Sequence, residues 1–159
     1  MPYPASVIAY AFVKKGIEES NFLTQMKLQK VVYFAHGYHL AKFGTPLIKE
    51  QFQAWQYGPV APTIYQKYKL YGSDFIKSVD LLNRVSDFQK YYLQLDANAI
   101  EAIDYTWETT KDLSASDLSN WTHLPDSPWD QAYIEGVNGI LIDNKAIEDY
   151  FSTVLAVQE

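Results

Sequence analysis

Cysteine is absent from the 159-residue sequence, so the chain cannot form disulfides, thiolate zinc sites or a thiol nucleophile. This absence suits a reducing compartment. No run of apolar residues approaches the roughly 20 that a membrane-spanning helix needs. Residues 1–4 lack the basic segment and apolar stretch with which a secretory signal begins. We therefore expect a cytoplasmic protein that does not enter a membrane.

The sequence also lacks the glycine motifs that bind nucleotides and the arginines that typically bind nucleic acids. The seven glycines are isolated and form neither G-x-G-x-x-G nor G-x-x-x-x-G-K, which argues against a phosphate-binding loop. Arg84 is the only arginine among thirteen basic residues. Because base recognition relies on the bidentate guanidinium group, this composition argues against nucleic acid as a partner.

Only three histidines are present, His36, His39 and His123. His36 and His39 are three residues apart on a predicted helix, so both could face one metal ion. However, the spacing is not H-E-x-x-H, and no acid lies within ten residues of the pair. We expect no bound metal and a buried, hydrogen-bonded His39. For His123 we expect a hydrogen bond to a turn carbonyl, with a role in a functional site as the alternative.

Three carboxylates, Glu101, Asp104 and Glu108, fall on one face of another predicted helix. Such a cluster can bind a hard cation, but a solvated helix face is the prediction here. No spacing assembles a nucleophile, a base and an orienting group. We therefore predict that the protein is not an enzyme and has no catalytic residues and no cofactor. A metal-dependent hydrolase that uses His36, His39 and acids is the enzymatic alternative.

Charge and aromatic residues are the most distinctive features that are present. Residues 1–79 contain nine lysines and four acids, a net charge of +5, and residues 80–159 contain four bases and fifteen acids, a net charge of −11. We interpret the halves as two solvated surfaces that attract each other across the fold. The alternative is a basic patch for an acidic partner. The thirteen tyrosines and four tryptophans suit either an aromatic core or an interface.

One long apolar helix dominates the pattern. Thr24 is a good N-cap, Gly44 can supply a left-handed C-terminal residue, and Pro46 stops continuation, which predicts a helix over about 25–43. Apolar residues occupy most of its sides, so we expect it to be buried at the centre of the fold. Gly37 costs this helix about 1 kcal/mol of propensity. A closely packed neighbour is the expected reason for a glycine there.

Shorter elements flank this helix. Apolar spacing and capping residues predict helices over about 5–19, 62–71, 97–110 and 114–122, one that begins at 128, and one over 143–156. Asp96 is the predicted cap of the helix over 97–110, and Ser114 and Asp117 form an S-x-x-D capping box for the helix over 114–122. A β-hairpin arm or short strand is predicted over 47–56, a turn at 57–59 and a brief strand at 139–142, whereas residues 74–95 are ambiguous. Without alternating strands and helices, a doubly wound α/β fold is disfavoured. The prediction is a mainly α, compact single domain over residues 1–159, a helical bundle around the buried helix.

Several sequence blocks carry a family resemblance. The first is L-T-Q-M-K-L-Q-K followed by V-V-Y-F-A-H-G-Y-H-L-A, over residues 23–41. A-W at 54–55 and G-P-V at 58–60 follow, and T-H at 122–123 and P-W at 128–129 come near the C-terminus. In this order they resemble the Panacea domain, a bacterial and phage family that includes SocA-like antitoxins and phage-associated proteins. The motif residues that we interpret as fold-defining are Lys27, Leu28, Gln29, Lys30, His36, Gly37, Trp55, Gly58, Pro59, Thr122, His123 and Trp129.

The resemblance implies a mainly helical antitoxin whose partner is a cognate toxin, neutralised by direct contact. Some family members instead deliver the toxin to a cellular protease, so this adaptor role is the alternative. Interface energy usually concentrates in a few tyrosines, tryptophans and arginines. The predicted toxin contacts are therefore Tyr57, Tyr65, Lys67, Tyr68, Lys69 and Tyr71. Core packing is the alternative for each tyrosine, and a nucleic-acid-binding regulator that uses the lysine-rich half is a further alternative function.

Overall fold

The computed structural model describes residues 2–78 and 94–158. Arg84 and most of the ambiguous segment 74–95 lie outside the described residues. The described helices are α1 (Ala5–Glu18), α2 (Gln25–Phe43), α3 (Pro62–Tyr68), α4 (Ala97–Thr110), α5 (Ala115–Thr122), α6 (Pro128–Ala132) and α7 (Asn144–Gln158). The described strands are β1 (Leu23–Thr24), β2 (Gln53–Trp55), β3 (Gly58–Val60) and β4 (Phe75–Ile76), and a 3-10 turn, Lys69–Tyr71, follows α3. The predicted mainly α fold is confirmed.

Helix α2 is the buried centre of this fold, as its sequence predicts. The Thr24 hydroxyl accepts a hydrogen bond from Lys27 N–H at 3.3 Å. At the other end Gly44 has a φ of 74°, and its N–H donates to the Leu40 carbonyl at 2.9 Å. Helices α1, α4, α5 and α7 pack around α2. Local capping chemistry therefore sets the length of α2, and its apolar surface places it inside the bundle.

Gly37 allows α7 to pack closely against α2. A β-carbon at this position would overlap the ring of Phe151 on α7. The same ring meets Tyr33 and Phe34 edge-on, with centroid separations of 5.6 and 5.9 Å. The closely packed neighbour expected for Gly37 is therefore Phe151, and the lost helix propensity is offset by aromatic packing.

Strands β2 and β3 form a hairpin in which Ala54 lies opposite Pro59. The turn predicted at 57–59 lies earlier, at Gln56 and Tyr57, because Gly58 is already paired in β3. Gly58 has a φ of 122°, a conformation that side chains rarely permit. Glycine thus allows the chain to re-enter the ladder directly after a two-residue turn.

The segment around residue 141 extends this small sheet on the far side of β2. Ala54 N–H donates to the Ile140 carbonyl at 2.9 Å, and Ile142 N–H donates to the Phe52 carbonyl at 2.8 Å. The β-structure predicted near 47–56 and 139–142 is therefore present, although the second segment forms only an isolated bridge. Strands β1 and β4 pair separately, with Leu23 opposite Ile76.

The carboxylates of α4 pair with lysines. Lys42 meets Glu101 at 2.7 Å, and Lys15 meets Asp104 at the same distance. Glu108 is paired with Lys111 at 2.9 Å. The first two pairs join the basic half of the sequence to the acidic half, which agrees with oppositely charged surfaces that attract across the fold. Within the described residues, no helix combines the length and apolar character that crossing a membrane requires.

Candidate protein-binding surface

Gln29 joins the central helix to the chain after the hairpin. Its amide nitrogen donates to the Ala61 carbonyl at 3.1 Å, and Ala61 N–H donates to its amide oxygen at 2.9 Å. Both residues are buried. The side-chain amide therefore satisfies the buried Ala61 N–H, and it adds a third donor to the Ala61 carbonyl, which also accepts from the N–H groups of Ile64 and Tyr65. This pair of bonds fixes the start of α3 against α2.

His36 and His39 are held by hydrogen bonds inside the fold. Ile48 N–H donates to His36 Nδ1 at 3.3 Å, so the ring proton is on Nε2, which donates to Asn144 Oδ1 at 2.9 Å. Burial lowers the pKa of His36 to about 4. His39 Nδ1 lies 2.5 Å from the Thr45 carbonyl oxygen, in agreement with the predicted buried, hydrogen-bonded histidine. The described part of the chain contains no cluster of three or more metal-ligating side chains.

Two half-buried tryptophans tie the hairpin to the C-terminal helices. Trp129 Nε1–H donates to the Trp55 carbonyl at 2.6 Å. The ring of His123 packs against the Trp129 indole, with centroids 3.9 Å apart. The predicted hydrogen bond from His123 to a turn carbonyl is not found among the described residues, where this packing buries Nε2 without a partner. Burial, together with the charge of Lys30, lowers the pKa of His123.

Lys30 extends from α2 to the hairpin and is 2% exposed. A β-carbon at Gly58 would lie 2.9 Å from Lys30 Cε and Nζ and from Thr122 Oγ1. The absence of a side chain at Gly58 therefore makes room for the ammonium group. Burial lowers the pKa of Lys30 to about 8, and within the described chain neither a hydrogen bond nor a negative charge offsets this effect.

A cavity of about 730 Å³ adjoins Lys30 between the start of α2, the hairpin and α3. We call it the Lys30 cavity, and the residues that line it include Met26, Gln29, Lys30, Trp55, Tyr57 and Tyr65. Three of these side chains are accessible: Met26 is 38% exposed, Tyr57 61% and Tyr65 36%. No aspartate or glutamate among the described residues lines the cavity. Accessible side chains, two of them aromatic, therefore surround a cavity that contains one buried positive charge.

The tyrosines predicted as toxin contacts differ in exposure. Tyr57 and Tyr65 line the Lys30 cavity, and the Tyr65 ring meets Trp55 edge-on at 5.0 Å. Tyr68 is only 1% exposed, so its prediction as a surface contact is wrong. It lies three residues after Tyr65, on the side of α3 that packs into the core. The alternative of core packing therefore applies to Tyr68.

The remaining predicted contacts do not line the cavity. Tyr71 is half-buried, and its hydroxyl has no hydrogen-bond partner among the described residues. Lys67 is half-buried, and burial lowers its pKa. Lys69 is exposed and donates to Gln66 Oε1 at 3.0 Å. The structure thus brings together two of the six predicted contact residues at the cavity.

Met26 and the Lys30 cavity were not predicted from the sequence. The signal available was Lys30, a charged residue within a helix that is apolar on most sides. A second groove, of about 320 Å³, was also missed. It lies between α2, α4, α5 and α7, and its lining includes Phe34, Tyr105, Trp121, Leu124, Phe151 and Leu155.

These features define a small, mainly helical protein with an accessible aromatic surface around a charged recess. The sequence model of the family described as "Antitoxin SocA-like, Panacea domain" matches residues 28–130. The chain belongs to this family. It is also 32% identical over 153 residues to "Antitoxin SocA" of Caulobacter vibrioides (strain NA1000 / CB15N), a match that covers 92% of this chain and 81% of that protein. No solved structure matches the chain.

Proposed function

We propose that this protein is an antitoxin that neutralises a cognate toxin by direct protein–protein binding. Membership of the antitoxin family and the similarity to an antitoxin over most of the chain support the role. The structural observation that carries the proposal is the accessible cluster of Met26, Tyr57 and Tyr65 around the Lys30 cavity. Tyrosine and methionine are enriched at protein interfaces, where they supply apolar area.

Such a surface would act by binding the toxin stoichiometrically and not by catalysing a reaction. A standard interface buries about 1,600 Å² in total, and a few anchors that enter pockets supply most of its affinity. The Lys30 cavity can receive one side chain of the toxin while the three accessible side chains cover the area around it. Each antitoxin then inactivates one toxin, and protection depends on dose.

Co-purification with the product of the adjacent gene, followed by calorimetric titration, tests this proposal. The expected result is a 1:1 complex and protection of toxin-expressing cells that saturates near one antitoxin per toxin. Protection at far lower ratios would indicate catalysis or delivery to a protease. The absence of a complex at micromolar concentrations would reject direct binding.

Surface variants test the location of the interface. Tyr57→Ala and Tyr65→Ala should each weaken toxin binding about tenfold or more. Tyr57→Ala should leave the melting temperature unchanged because its side chain is 61% exposed, whereas Tyr65→Ala also removes the ring contact with Trp55 and should lower the melting temperature slightly. Ile100→Ala is the matched control. Ile100 is 46% exposed, and its neighbour Glu101 pairs with Lys42 at the opposite end of α2.

The second groove is the alternative location for the toxin interface. Tyr105 is 37% exposed and lines this groove. If Tyr105→Ala removes binding while the Tyr57 and Tyr65 variants bind normally, the toxin occupies the groove and the cavity is not its site.

A further inference from the structure

We propose that Lys30 receives the carboxylate of an aspartate or glutamate side chain that the toxin inserts into the Lys30 cavity. This inference rests on the proposed function and names the chemistry of the contact. Lys30 is a buried cation, it lines a cavity, and it has no hydrogen bond or opposite charge within the described chain. A buried charge that lacks a partner is costly, and an entering anion would supply the missing partner.

The cavity fits a single carboxylate better than a larger anion. Lys30 is its only cationic side chain among the described residues, so it can neutralise about one negative charge. A phosphate group carries up to two charges and is commonly bound by arginine or several donors. The charge balance therefore favours a carboxylate.

A protein is the source of this carboxylate because the accessible apolar surface continues around the recess. Met26, Tyr57 and Tyr65 would stay exposed if only a small acid filled the cavity. A protein segment that inserts one acidic side chain would also cover these three residues. The ion pair would then be desolvated, which makes it sensitive to loss of either partner.

The ionisable groups around Lys30 give the contact a pH signature. Tyr57 of the hairpin and Tyr65 of α3 line the cavity, and His123 after α5 interacts with Lys30 electrostatically. In the free protein the pKa of Lys30 is about 8. A bound carboxylate favours the ammonium form and raises this pKa in the complex. Toxin affinity should therefore be greatest below pH 8 and fall as the pH rises through the pKa of the complex.

The test uses the full-length protein, the toxin encoded beside it, and the variant Lys30→Met, which keeps the side-chain length and removes the charge. Lys30→Met should bind the toxin at least thirtyfold more weakly at pH 7, as expected when one member of a buried ion pair is removed. In the Lys30→Met variant, the part of the affinity loss between pH 7.5 and 9.5 that is due to Lys30 should be absent. Lys27→Met is the matched control, because Lys27 is also buried on α2 but donates to the Lys111 carbonyl at 2.8 Å. It should retain the parent affinity.

Nuclear magnetic resonance of the Lys30 side chain in the parent protein keeps the test independent of variant folding. The pKa of Lys30 should rise by at least one unit when the protein is saturated with toxin. An unchanged pKa, or a Lys30→Met variant with parent affinity, would overturn the Lys30 contact while leaving the antitoxin proposal intact. Failure of the parent to bind the toxin would reject both proposals.

Variants of the toxin identify the source of the carboxylate. One Glu→Gln or Asp→Asn change in the toxin should reproduce the loss seen with Lys30→Met, and combining the two changes should add little further loss. If removal of the toxin's C-terminal carboxyl group alone reproduces the loss, the proposed side-chain contact is wrong.

Discussion

Replacing Lys30 with methionine should stabilise the free protein at neutral pH. The side chain is 2% exposed, and burial lowers its pKa from the ordinary value of 10.5 to about 8. Below pH 8 the folded protein carries a buried ammonium that no described negative charge compensates. Methionine has a similar length and no charge, so it removes this desolvation cost while filling the same space.

The magnitude follows from the pKa difference. One pKa unit corresponds to about 1.4 kcal/mol, so a change from 10.5 to about 8 corresponds to about 3 kcal/mol. Between these pH values the unfolded chain holds the Lys30 proton and the folded chain releases it. The contribution of Lys30 to the free energy of unfolding therefore increases with pH across this window. Lys30→Met should exceed the parent in stability by up to about 3 kcal/mol at pH 7, and the advantage should vanish near pH 10.5.

Urea unfolding of both proteins at several pH values measures this difference directly. Subtracting the two free energies removes the contributions of the other titrating groups, including the tyrosines. Lys27→Met should show no comparable gain, because loss of the hydrogen bond to the Lys111 carbonyl offsets removal of the burial cost that also lowers the pKa of Lys27. Equal stability of Lys30→Met and the parent at pH 7, or a difference that does not shrink with rising pH, would refute the reasoning.

Three further substitutions test the packing around the same helix. Gly37→Ala should lower the free energy of unfolding by about 1–3 kcal/mol, because its β-carbon would displace the Phe151 ring, and urea unfolding measures the loss. Gln29→Leu should cost about 1–3 kcal/mol in the same assay, because it leaves the buried Ala61 N–H unpaired, whereas the Ala61 carbonyl keeps its bonds from Ile64 and Tyr65 N–H. Tyr68→Ala should lower the melting temperature but keep the toxin affinity of the folded protein, since Tyr68 is buried.

Elements set by neighbouring residues were predictable from the sequence. Thr24 and Gly44 bound α2, and Asp96 caps α4 by accepting from Ala99 N–H at 2.8 Å, as predicted. Ser114 and Asp117 form the predicted capping box of α5. In each case the donor and acceptor lie within four residues of one another, so the local sequence contains the whole interaction.

Features made by distant segments were not predictable in this way. Tyr65 and Tyr68 are three residues apart on α3, but one is accessible and the other is buried, because packing of α3 against α1 decides which side is covered. The Trp129–Trp55 hydrogen bond joins residues 74 positions apart. The orientation of His123 depends on the same packing. The Lys30 cavity is formed where such segments meet, and the local sequence specifies none of those contacts.

The remaining question is why a lysine occupies position 30. Other motif residues have a partner that accounts for them: Gln29 binds Ala61, His36 binds Asn144, and Gly37 contacts Phe151. The Lys30 ammonium has no compensating group within the described chain, so its charge lowers the stability of the free protein. If its partner is supplied by the toxin, Lys30→Met must gain stability and lose affinity together. A variant that gains stability and binds normally would show that the charge contributes nothing to the complex.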